Sequence, residues 1–295
     1  MWITYGLTAG VVLGLYDYWT KKGMDGNGVM AVVFWSSFFG AAAWLIAFLP
    51  VSYGSGFHVD PGATNLKQQL FILFKGLMMT GSWIFAYYSV RELPMSFSGA
   101  MRASGPLWTF LGGALIFGEI LTPLQFCAVL ASVIAYFLLS QIGKKEGISI
   151  TCSTPILMML VATLLSAMTT VYDKWLVQVL ELKPNDIQAW SALHRCLLAG
   201  IIMWFFCRGG RSPMMPNWSF WIPLIGLAWV GAEWVYFLAI QDPNANVTYL
   251  SIFRRVSLIV GFLLSVLLIG ESNVGRKSIV ILILLISTIT LILHA

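Results

Sequence analysis

Eight charged side chains lie inside long apolar runs of this sequence: Asp17, Arg102, Asp173, Lys174, Arg195, Glu233, Arg254 and Arg255. Insertion scales put a central Arg, Lys or Asp at about 2.5 to 3.5 kcal/mol, so eight such residues facing lipid would cost on the order of 20 kcal/mol. That exceeds the net stability of a domain. They must face the interior of a helix bundle, a water-filled cavity, or one another. A set of this kind can form ion pairs, bind a charged solute and carry a proton. His194 adjoins Arg195 and belongs to the same stratum. With His194 neutral, basic residues exceed acidic by five to three, which favours an anionic or zwitterionic solute over a lipophilic cation.

Aromatic residues add a second kind of surface. Trp83, Tyr87 and Tyr88 in one apolar run, and Trp234 and Tyr236 in another, can stack on a planar or cationic group. The remaining tryptophans, such as Trp2, Trp19 and Trp204, read as interfacial belts. His194, Arg195 and Glu233 have the residue types of an acid/base set with an oxyanion-stabilising cation, but no nucleophile accompanies them, so an enzyme is not expected. No Walker A sequence, HExxH or paired CxxC occurs, and His58, His194 and His294 are scattered. Neither a metal nor a cofactor is expected.

The elements that must position these residues follow from composition. Of 295 residues, 59% are hydrophobic and 10% charged, against about 45 to 50% and 25% in soluble domains. The chain is therefore expected to be an all-α, multi-pass protein of the cell (inner or plasma) membrane. High aromatic content and the absence of long basic runs exclude disorder and nucleic-acid binding. A window of about 19 residues gives ten spans, near 2–20, 29–50, 70–90, 95–117, 123–141, 153–180, 187–207, 219–240, 245–269 and 277–294.

Internal similarity organises those spans. Tyr16-Asp17-Tyr18-Trp19 returns as Tyr172-Asp173-Lys174-Trp175 at an offset of 156. Trp83, Arg102 and Gly118-Glu119 return as Trp234, Arg254 and Gly270-Glu271 at offsets of 151 to 152. Residues 1–145 and 146–295 therefore read as duplicated five-span units within one integrated transmembrane domain. An odd number of crossings inverts the second copy relative to the first, the arrangement of secondary transporters.

Two five-span repeats, each with a fourth helix rich in small residues that ends in Gly-Glu (Ala100 to Glu119, Leu250 to Glu271), resemble the EamA branch of the drug/metabolite transporter superfamily over the whole chain. Pro106 fits the family pattern of a proline early in that helix, whereas the second repeat has Arg254-Arg255-Val256-Ser257 there. The resemblance implies ten helices around a central cavity built from helices 1, 3, 4 and 6, 8, 9, and transport of small organic metabolites.

Each half supplies an aspartate on its first helix and an arginine on its fourth, so Asp17–Arg102 and Asp173–Arg254 are expected to pair toward opposite faces. Making one pair while breaking the other would gate alternate openings; the alternative is two static pairs that specify packing. Lys174, His194, Arg195, Glu233 and Arg255 lack charged counterparts in the first half, which places the solute against the second half. Of the adjacent arginines, Arg254 is expected in the cavity because it has a repeat partner. Glu119 and Glu271 end their helices and are expected to be interfacial. Asp17, Asp173, Glu233 and His194 are the candidates for proton coupling. Connector charges, nine on one side against three (Lys67, Lys75 and Lys183) on the other, place both termini outside the cytoplasm. The expected function is alternating-access transport of a small polar anionic or zwitterionic metabolite by a monomer or homodimer, with a flippase for a polar-headed lipid or lipid-linked sugar as the alternative.

Overall fold

Helix starts and stops in this chain follow from particular residues. In a computed structural model describing residues 1–49, 57–93, 102, 104–120, 122–144, 154–208 and 216–268, with scattered positions between 275 and 290, every long element is helical. They are α1 (Trp2–Gly23), α2 (Val29–Leu45), α3 (Leu66–Glu92), α4 (Gly105–Phe117), α5 (Pro123–Lys144), α6 (Thr154–Lys174), α7 (Pro184–Arg208), α8 (Trp221–Ile240), α9 (Val247–Arg254) and α10 (Val256–Leu268). Asn65 and Gln68 form a capping box at the start of α3, each side chain accepting from the other's backbone N–H at 2.9 Å. Asn246 caps α9, accepting from the Thr248 and Tyr249 backbones. Pro106 opens α4, and Gly118 closes it at φ 66, a left-handed conformation that suits glycine.

Two helices are irregular where charged residues sit. α6 passes directly into a π-helical turn, Trp175–Val179, just after Asp173 and Lys174. The span expected over 245–269 is split at Arg255, whose ψ of −8° interrupts the ladder between α9 and α10. Among the described residues six helices, counting α6 with its π turn and α9 with α10, are long and apolar enough to cross a membrane. α4 and the apolar part of α5 are shorter. The span expected at 95–117 is described from Arg102 onward, and the one at 277–294 lies outside the described residues except for isolated helical positions.

The two halves interleave. α1 packs on α8, α9 and α10, α3 on α6 and α7, and α4 on α6 and α9, while α2 lies against α7 and α8. Close approach is achieved with small residues at helical spacing. Gly6, Gly10 and Gly14 share one stripe of α1, where an added Cβ would collide with Phe253, Val256 or Val260.

Side-chain bonds fix the two ends of the bundle. At one end Lys21 Nζ donates to the carbonyls of Val90 at 2.7 Å and Leu93 at 3.2 Å, joining the C-termini of α1 and α3. Asn27 and Asn217 bond each other there, bringing the α1–α2 turn against the segment ahead of α8. At the other end Lys174 Nζ donates to Glu119 at 2.8 Å and to the Ala245 carbonyl at 2.9 Å. Gln178 and Tyr172 tie the end of α6 there to the end of α8 and the start of α3.

Candidate functional site

Side chains from α1, α3, α6, α8, α9 and α10, together with Arg102 and Arg255, line a partly open cavity of about 80 Å3. Its charged lining is Asp17, Arg102, Arg254 and Arg255; Ser82, Thr163, Ser166, Thr170, Ser251 and Ser257 add hydroxyls, and Tyr16, Trp83 and Trp229 add rings. Hydroxyls at helical positions satisfy themselves on their own backbones when needed, as Thr163 does on the Met159 carbonyl at 2.8 Å. The lining is thus polar at small energetic cost.

Asp17 and Arg102 meet as expected, with Arg102 Nη1 donating to Asp17 Oδ1 at 2.7 Å. Their side chains stay 15% and 18% exposed. The second expected pair does not form. Asp173 contacts Lys75 Nζ at 2.8 Å, and Arg254 donates instead to Glu233 at 3.0 Å. Lys75 also approaches Glu233 at 3.8 Å, so two cations and two carboxylates make one buried network. The ammonium of Lys75 sits 4.3 Å from the centre of the Phe237 ring, which shields it from lipid.

Lys75 was assigned to a connector by sequence, yet it is wholly buried in α3. Its helical spacing from Met79, Ser82 and Trp83 puts it on the same inward stripe, a signal that would have found it. Glu119 follows the end of α4 and is buried there. Its side chain is 7% exposed, paired with Lys174, and accepts from the Val247 backbone at 3.2 Å at the start of α9. Glu271 lies outside the described residues.

Several expected site residues stand away from the cavity. Lys174 is buried in its bond to Glu119. His194 is half-buried and packs near Trp190 and Gly76. Trp234 is 38% exposed and meets Phe57 edge-on, so the repeat counterpart of Trp83 faces outward. Trp229 takes the inward place, T-shaped on Trp83 at 4.9 Å. The reason is helical phase: Trp229, Glu233 and Tyr236 share one face of α8, and Trp234 is turned about 100° from Glu233. Tyr87 is buried behind Trp83, its ring stacked at 5.5 Å and its hydroxyl 2.9 Å from that of Tyr16.

Arg254 and Arg255 both line the cavity, contrary to the expectation that adjacent helical residues must diverge. The break at Arg255 removes that constraint. Arg195 is buried, with its guanidinium 4.1 Å from the Trp83 ring centre and 5.7 Å from that of Trp229.

Residues 1–141 match the model of the EamA-like transporter family, part of the drug/metabolite transporter superfamily. Over those residues the chain is similar to a family of multi-pass membrane transporters of small molecules, and its described helices include several long and apolar enough to span a membrane. No curated protein matches it. A solved crystal structure aligns with 100% of this chain and 96% of its own at a TM-score of 0.74 and 15% identity, a likeness of fold.

Proposed function

We propose that this EamA-like protein is a secondary transporter that moves a small anionic or zwitterionic metabolite by alternating access through the central cavity. The observation that carries the reading is the cavity's charge: three arginines, Arg102, Arg254 and Arg255, against one carboxylate, Asp17, among hydroxyls and rings. The scaffold is read as ten helices in two inverted repeats, 1–145 and 146–295.

Asp17 with Arg102 serves as the gate toward the Lys21 end. The buried network of Lys75, Asp173, Glu233 and Arg254, backed by Lys174 and Glu119, serves as the gate toward the Lys174 end. Asp173 and Glu233 share Lys75 and are the carboxylates placed to carry a coupling proton.

Counterflow in proteoliposomes tests the reading, with amino acids, dicarboxylates, sugar phosphates, nucleotide sugars and polyamines as solutes. Exchange of an anionic or zwitterionic solute, lost on Arg102→Met and Arg254→Met, is expected; exchange of polyamines alone overturns it. The flippase alternative has one supporting feature, an apolar groove between α3, α4 and α6 lined by Phe74, Trp108, Gly112 and Met168. That groove shares no lining residue with the polar cavity, which favours a soluble metabolite.

A further inference from the structure

A smaller pocket opens off α7, beside the central cavity, where Gln188, Ser191 and Arg195 face Glu233 and Trp229. Trp229 lines both spaces and separates them. The pocket gathers polar groups that the protein leaves unsatisfied. Arg195 Nε, both amide atoms of Gln188 and Trp229 Nε1 are buried without a hydrogen-bond partner. Arg195 is 2% exposed and Gln188 4% exposed. Arg195 has two indole rings for company and no carboxylate within 4.0 Å among the described residues.

A buried guanidinium without an anion is strongly unfavourable, and so is each buried donor without an acceptor. Glu233 is the carboxylate that acts on Arg195 across the pocket, but it lies beyond 4.0 Å and its oxygens are already engaged by Arg254 and Lys75. Three of the pocket's four unsatisfied atoms are donors, Arg195 Nε, Gln188 Nε2 and Trp229 Nε1, against one acceptor, Gln188 Oε1. The pocket is also narrow, with about 10 Å3 free between Trp44, Met79 and Val230, so a larger occupant enters only as these side chains move apart. What fits such a place is a compact planar anion that accepts from the guanidinium fork and the amide N–H together.

We propose that this pocket is an anion subsite that takes the carboxylate group of the transported solute, with Arg195 supplying the charge and Gln188 the second donor. The assignment rests on the transport reading only for the source of the carboxylate. Trp229 and Trp83 then hold the guanidinium flat at the boundary between the subsite and the central cavity. Glu233 links its occupancy to the buried network, since one carboxylate borders the subsite and binds Arg254.

Tryptophan emission of the full-length protein in detergent, titrated separately with sodium acetate and sodium chloride at low salt, tests the subsite. A saturable response to acetate is expected in the wild type and in Trp234→Phe. It should weaken about tenfold or more in Arg195→Lys and Gln188→Leu, because the planar fork or its companion donor is gone, and vanish in Arg195→Met. Arg195→Lys retains the charge, so the assignment stays testable if Arg195→Met fails to fold. Saturation by chloride without saturation by acetate overturns the carboxylate assignment. No saturable response in the wild type, or equal responses in Arg195→Lys and wild type, overturns the subsite itself. Acetate binding that depends on Arg195, with no exchange of any carboxylate solute in proteoliposomes, leaves the subsite standing and removes the transport reading.

Discussion

Toward the Lys21 end of the bundle, Asp17 and Arg102 form a single pair that stays 15% and 18% exposed on the central cavity. Toward the Lys174 end, Lys75, Asp173, Glu233 and Arg254 form a connected network whose members are between 0% and 13% exposed. The two regions carry matching landmarks in sequence, yet one is an isolated pair on the cavity and the other a network that reaches the cavity through Arg254 alone. Matching sequence landmarks fix where charges enter the bundle; they do not fix which charges meet. Desolvation explains the difference in connectivity. A pair that borders a cavity leaves its remaining donors to water, whereas a sealed pair must find protein partners for them.

Lys75→Met offers the strongest way to break the contrast. It leaves Asp173 without its cation in the buried network, and a loss of about 3 to 5 kcal/mol is expected in denaturant unfolding of the detergent-purified protein. The double variant Lys75→Met/Asp173→Asn should recover part of that loss; no recovery would mean that the two side chains act independently. Glu119→Gln comes next. It weakens the bond to Lys174 and the cap on α9, and a loss of about 1 to 3 kcal/mol is expected in the same unfolding measurement.

Asp17→Asn has a smaller expected effect on stability, about 1 kcal/mol, because a pair on the cavity has water to replace a partner. Its main consequence is expected in transport. In reconstituted vesicles, Asp17→Asn and Asp173→Asn should impair opposite half-reactions, release on one face and on the other. Equal effects on folding with identical transport defects would show both to be static packing pairs. Trp234→Phe should be nearly silent, within about 0.5 kcal/mol and without change in exchange rate, because its ring faces outward. Trp229→Phe should alter exchange; the reverse ranking would mean that the repeat, and not helical phase, selects the cavity residues.

Much of the site was legible once the apolar runs were known. Asp17, Arg102, Trp83 and Arg254 line the cavity, consistent with the cost of charge within a span. Trp229 and Lys75 were not recognised, although helical spacing from Glu233 and Trp83 marks both. Glu119 was read by its place at a helix end, and its burial depends on α9 and α6 arriving there. Gln188 gave no signal, since an uncharged polar residue near a helix start reads as ordinary.

The sequence by itself determined that this chain lives in a membrane, that its long elements are helices, and that its interior must hold several charges. Those conclusions rest on hydropathy and on the cost of charge in lipid, which depend on composition along a short window. Tertiary structure alone decided the partners: Lys75 for Asp173, Glu233 for Arg254, Glu119 for Lys174, and two rings for Arg195. Partner choice depends on how each helix is rotated and which neighbour it meets. A few residues' shift in helical phase, or one break such as that at Arg255, redirects a side chain by a third of a turn, and no local window contains that information.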